Sequence, residues 1–133
     1  MSRDVYSATL KLYGEEHPDS LLEASNYAPT LVRLKHFKEA KALLRKTMPL
    51  AQRVLGAGNH VTLRMKQTYA IALYKDRGAT LKDLREAETT LEDTGRIARR
   101  VLGSSHPCTE AIGQDLQKAR AALRAREAPP ATE

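Results

Sequence analysis

Apolar residues recur along the chain at spacings of three and four, the period of a helix with one buried face. Leu21, Ala24, Ala28, Leu31 and Leu34 form one stripe, and Ala40, Leu43, Leu44, Met48, Ala51, Val54 and Leu55 form the next. The pattern resumes with Met65, Tyr69, Ala70 and Leu73, then with Leu84, Ala87, Leu91, Ala98, Val101 and Leu102. Ile112, Leu116, Ala119 and Leu123 close it. Together with a first helix over Arg3 to Leu12, these stripes predict an all-α chain of six helices. They lie near 2–13, 19–35, 37–55, 60–77, 80–102 and 107–126, packed as successive antiparallel hairpins.

One short motif returns three times between the stripes. Tyr13-Gly14-Glu15-Glu16-His17-Pro18-Asp19-Ser20-Leu21 aligns with Leu55-Gly56-Ala57-Gly58-Asn59-His60-Val61-Thr62-Leu63 and with Leu102-Gly103-Ser104-Ser105-His106-Pro107-Cys108-Thr109. The glycines are 42 and then 47 residues apart, a period that points to a helical repeat array. Each joint reads as the end of one helix and the start of the next. Glycine accepts the positive φ of a C-terminal cap, and proline in a first helical turn lacks only an N–H that would have had no partner there. Asp19, Ser20, Thr62 and Thr109 are the candidate capping or first-turn residues. Aligning Phe37-Lys38-Glu39-Ala40 with Leu84-Arg85-Glu86-Ala87 places the five extra residues of the second unit in the turn around Asp76 to Leu81. Pro29 and Pro49 fall inside predicted helices, where local kinks are expected.

Composition narrows the function. The 133 residues are 41% hydrophobic, enough for one core and one domain. With 5% aromatic residues, no Trp and a single Phe, that core must be filled by Leu, Ala, Val and Met, which suits close-packed helices. Cys108 is the single cysteine, and the N-terminus has no signal-peptide h-region, so a soluble, cytoplasmic chain with no membrane span is expected. The net charge of +6 comes mostly from basic residues interleaved with acids, as in Lys38-Glu39-Ala40-Lys41, which is the pattern of solvated helix faces.

The sequence offers no catalytic constellation. His17 and His106 recur because the joint recurs, and His106-Pro107-Cys108 cannot supply the converging ligands that zinc needs, so no metal or cofactor is expected. His36 and His60 read as surface residues, and Cys108 stands near a helix start with no base arranged beside it. Phosphate-cradling glycine loops, paired carboxylates and nucleophile elbows are absent, so the expectation is a chain that is not an enzyme.

The Leu-Gly-x-x-His-Pro-x-Thr-Leu joint, Asn26-Tyr27-Ala28 and Phe37-Lys38-Glu39-Ala40 resemble the tetratricopeptide repeats of the long-period type found in kinesin light chains. That resemblance implies a right-handed superhelical solenoid whose first helices line a concave peptide groove. On it the domain spans 1–127, as a half repeat 1–14, repeats 15–56 and 57–103 and a capping helix 104–127, followed by a disordered tail 128–133. The resemblance puts Asn26 on the concave side, and helical spacing adds Arg33 seven residues on. The corresponding positions of the second unit are Thr68 and Lys75, with Arg64 and Gln67 a turn earlier. Amide and cationic side chains so placed suit a peptide backbone and acidic side chains.

The leading expectation is therefore a protein-interaction module or scaffold that binds a peptide or helical segment, acidic in character. The rival is nucleic-acid binding through Arg96, Arg99, Arg100, Lys118, Arg120, Arg124 and Arg126. Against it, no aromatic residues are interleaved with these cations, and Glu88, Glu92 and Asp93 lie among them. Because the first helix corresponds to the second half of a repeat, Val5, Tyr6, Leu10 and Tyr13 align with Thr47, Met48, Gln52 and Leu55 and are expected to lack cover. A longer repeat array or self-association would supply that cover.

Overall fold

The computed structural model describes residues 2–127, so the expected disordered tail over 128–133 lies outside the described residues. These fold into six helices and no strand: α1 Ser2–Tyr13, α2 Pro18–Arg33, α3 Phe37–Leu55, α4 His60–Lys75, α5 Leu81–Leu102 and α6 Pro107–Glu127. Each helix packs against its neighbour in sequence, which makes a run of hairpins. In addition α2, α4 and α6 touch one another in succession, whereas α1, α3 and α5 stay apart. The result is a two-layer helical solenoid, with α2, α4 and α6 on the closely spaced inner side of the curve.

The joints explain why the helices stop where they do. The amides of Gly14, Gly56 and Gly103 donate the last helical bonds, to Leu10, Gln52 and Arg99. Gly56 and Gly103 have φ 96° and 93° with ψ 156°, a combination open essentially to glycine alone. Three residues on, His17, Asn59 and His106 occupy one structural position. Their side chains accept the backbone N–H of Asp19, Val61 and Cys108 at 3.1, 2.8 and 3.0 Å. The caps are thus these three residues and not the Ser and Thr three positions further on. Ser20, Thr62 and Thr109 are buried between helices instead. A histidine caps only through an unprotonated Nδ1, and asparagine offers the same acceptor from a shorter arm. Replacing His106 by Ala is expected to cost about 0.5–2 kcal/mol, and His106→Asn close to nothing, read as urea midpoints at neutral pH.

The second unit gains its five residues in two places. Its internal turn is 76–80 against 34–36 in the first, and α5 has 22 residues where α3 has 19. Leu81, Lys82 and Asp83 therefore form an extra first helical turn, closed by a capping box. Asp83 N–H donates to Thr80 Oγ1, and Thr80 N–H donates to Asp83 Oδ2 at 3.0 Å. That backbone N–H holds the Asp83 carboxyl below its ordinary value. In the turn itself, buried Ala79 joins Leu84 and Leu123, which ties α6 to the start of α5.

One main core runs through all six helices, with Leu21, Leu44, Met65, Leu73, Leu91 and Ile112 among its buried members. Alanines at zero exposure, Ala40 and Ala87 included, mark the close approaches between helices. Pro29 and Pro49 leave α2 and α3 unbroken. Each deprives the carbonyl four residues earlier, on Ser25 and Arg45, of its helical partner. The first helix is better covered than its position in the repeat implies. Tyr6 is buried, its ring 5.9 Å from that of Tyr27, and Leu10 packs against the core, while Val5 and Tyr13 remain exposed. No helix among the described residues is long and apolar enough to cross a membrane.

Candidate functional site

The polar residues of the inner face fall into three groups, each fixed by a helix contact. The first bridges α2 and α4: Arg64 Nη1 donates to Asn26 Oδ1 at 2.9 Å, and Asn26 Nδ2 reaches Glu23 Oε1 at 3.4 Å. Asn26 is thereby oriented, and its amide keeps one N–H and one lone pair for a ligand. The second group joins α4 to α6. Gln67 Nε2 donates to Asp115 Oδ2 at 2.7 Å, and Tyr74 Oη donates to Asp115 Oδ1 at 2.9 Å. Burial, reinforced by the neighbouring Asp115 carboxylate, pushes the Tyr74 hydroxyl far above its ordinary value, so it stays a hydrogen-bond donor across the working pH range.

The third group is a cavity of about 510 Å³ between the ends of α2 and α4. Pro29, Val32, Phe37 and Ile71 give it an apolar lining, Thr68 adds a hydroxyl, and Arg33, Lys35 and Lys75 supply the charge. Arg33, Thr68 and Lys75 are thus brought together as a site, while Asn26 and Arg64 form their own pair and Gln67 is turned towards α6. Thr68 differs from the sequence reading in being buried: it lies under the cavity and not on an open polar face.

Local chain geometry brings Lys35 to the cavity. The amides of Lys35 and His36 donate to the carbonyls of Val32 and Leu31 at 2.9 and 2.8 Å, the paired bonds of a Schellman helix end. Its pivot, Lys35, has φ 64°, a left-handed conformation usually left to glycine. The strain therefore sits on a residue that contributes charge to the cavity. Lys35→Gly is expected to raise stability by about 0.5–1 kcal/mol. Thermal melts of the two proteins read the effect.

Sequence reasoning overlooked Asp115, Tyr74, Val32, Lys35, Phe37 and Ile71. Asp115 was within reach, because Asn26, Thr68 and Asp115 occupy the same place twelve residues after Gly14, Gly56 and Gly103. Val32 and Ile71 had a weaker signal, as apolar residues on an otherwise polar face. Nothing in the periodicity marked Lys35, whose placement depends on the turn.

Among the described residues, no group of three His, Cys, Asp or Glu side chains gathers around a common point to hold a metal ion. Comparison with curated proteins gives no match. Residues 25–61 match the family model for the tetratricopeptide repeat, from the middle of α2 through α3 to the start of α4. Repeats of this family generally mediate protein–protein interaction. Residues 25–61 are thus similar to one tetratricopeptide repeat, and the all-helical solenoid around them fits that similarity.

Proposed function

We propose that the chain is a non-catalytic scaffold that binds a peptide or helical segment of a partner protein along the inner face of α2, α4 and α6, with a preference for acidic segments. The observation that carries this reading is the cavity between α2 and α4, where an apolar lining is bordered by Arg33, Lys35 and Lys75. An apolar side chain seated there brings its acidic neighbours within reach of three cations. The Asn26–Arg64 bridge prepares the approach by holding an amide and a guanidinium in fixed positions. The joint sequence and the period of 42 residues support the kinesin light chain type of repeat, and an exposed free Cys108 suits the reducing cytoplasm.

Nucleic acid is the weaker partner because three of the seven cations named for it are already engaged within the fold. Arg120 donates to Glu88 and Glu92 at 3.1 and 2.7 Å, Arg96 pairs with Asp93, and Arg126 donates to the Ala79 carbonyl. Selection of a random heptapeptide display library on the chain tests the proposal. Clones rich in Asp and Glu are expected, and Asn26→Ala combined with Arg33→Glu should weaken them about tenfold or more with the helical spectrum unchanged. Equal affinity of every acidic clone for the double variant would refute the inner-face assignment.

A further inference from the structure

The outer layer contains two furrows built on the same plan and filled differently. In the first, between α1 and α3, Tyr6 stacks on Tyr27, and Leu10 and Leu43 pack against the same core. One repeat later, the corresponding residues of the furrow between α3 and α5 are Met48, Tyr69, Gln52 and Thr90. An aromatic ring and two leucines have become a thioether, an amide and a hydroxyl. Where the bulkier residues leave the first furrow a pocket of about 350 Å³ at one end, the second is an open trough of about 890 Å³, with Lys66 and Tyr69 of α4 as its floor.

Charge within the trough is unevenly satisfied. Tyr69 Oη accepts from Arg45 Nε at 3.2 Å and donates to Glu86 Oε2 at 2.7 Å, so Glu86 is answered from within the fold. Asp93 pairs with Arg96, and Arg53 with Glu16. Lys66, half-buried on the floor, forms no ion pair among the described residues, and the side chains of Gln52 and Thr90 form no hydrogen bond among them. The unmet needs are one anion and a set of groups that both donate and accept, which is what a peptide backbone with an acidic side chain provides. The lining on α3 runs from Arg45 to Arg53. At about 1.5 Å per helical residue that is roughly 12 Å, the reach of three or four extended residues.

We propose that this trough is a second docking site, on the outer face, for a short extended acidic segment of a partner polypeptide, its carboxylate on Lys66 and its amides on Gln52 and Thr90. The site is independent of the inner face, since it shares no residue with the cavity of Arg33 and Lys75.

The test uses the full chain carrying Arg33→Glu and Lys75→Glu, which leaves Lys35 as the one cation of the inner cavity against two carboxylates, and a random heptapeptide display library as probe. Acidic clones are expected, and Lys66→Gln should weaken them about tenfold. A second variant, with Met48→Tyr, Gln52→Leu and Thr90→Leu, rebuilds the second furrow as the first and should abolish binding while keeping helical content and thermal midpoint. Should that variant fail to fold, Lys66→Gln decides alone. Selection of clones without acidic residues, or acidic clones that bind Lys66→Gln as tightly as the parent, would overturn the proposal. Neither result bears on the inner face.

Discussion

Truncating Leu44 or Leu91 to alanine is expected to cost about 2–5 kcal/mol, the largest loss anticipated from any single change in the chain. Both side chains are at zero exposure, and they hold the same place in successive units, 47 residues apart. Each stands on an outer-layer helix and points into the main core, so its removal leaves a void that neighbouring helices on both sides must close. Similar costs at the two sites would reflect similar surroundings. Apolar residues at Leu12, Val54 and Val101 also recur with the repeat but are exposed. Replacing any of these with a polar residue should shift stability by less than about 0.5 kcal/mol. Urea denaturation of the five variants measures the contrast. A Leu91→Ala variant as stable as the parent would contradict the core described here.

The second large effect comes from adding volume. Ala40 and Ala87 are at zero exposure and occupy equivalent positions of the repeat, in the first turn of α3 and, after the extra turn, in the second turn of α5. Ala40 packs with Leu31 and Ala72, and Ala87 lies in the main core. A leucine at either place must displace a backbone that has no room to yield, so Ala40→Leu and Ala87→Leu should each destabilise by about 1–3 kcal/mol. Calorimetric midpoints check this, and unchanged values for both would mean that the helices are not closely apposed there.

Much of this fold is written in residues that act locally. The six helices could be placed to within a few positions because each joint combines glycine with a following His-Pro or Asn-His pair, and because the apolar stripes keep one period. The capping residue was harder to see. Histidine is not among the usual caps, although Asn59 in the same alignment column belongs to that set and marks the position. The five extra residues were expected in the turn around Asp76 to Leu81, whereas three of them lengthen the start of α5, a division that depends on the Thr80–Asp83 capping box and on Ala79 finding a place beside Leu123.

The inner face was legible in part. Helical spacing put Arg33, Thr68 and Lys75 on facing helices, and these do converge. Which of the polar residues pair with one another was not legible, because the Asn26–Arg64 and Gln67–Asp115 bonds join positions 38 and 48 residues apart. Such contacts depend on how far one hairpin rotates on the next, and that is set by packing and not by period. The outer trough escaped notice for a related reason: its walls come from three helices, and its openness appears only when Met48, Gln52 and Thr90 are compared with the bulkier Tyr6, Leu10 and Leu43.

The central claim is that the inner face of α2 and α4 receives a partner segment. Amide hydrogen exchange reads this most directly, comparing the free chain with the chain saturated by an acidic heptapeptide selected on the Lys66→Gln variant, whose outer trough lacks its cation. Slowed exchange is expected in α2 from Pro29 to Arg33, through the turn to Phe37, and in α4 from Thr68 to Lys75. A saturating peptide that leaves exchange in both of these segments unchanged would contradict the claim.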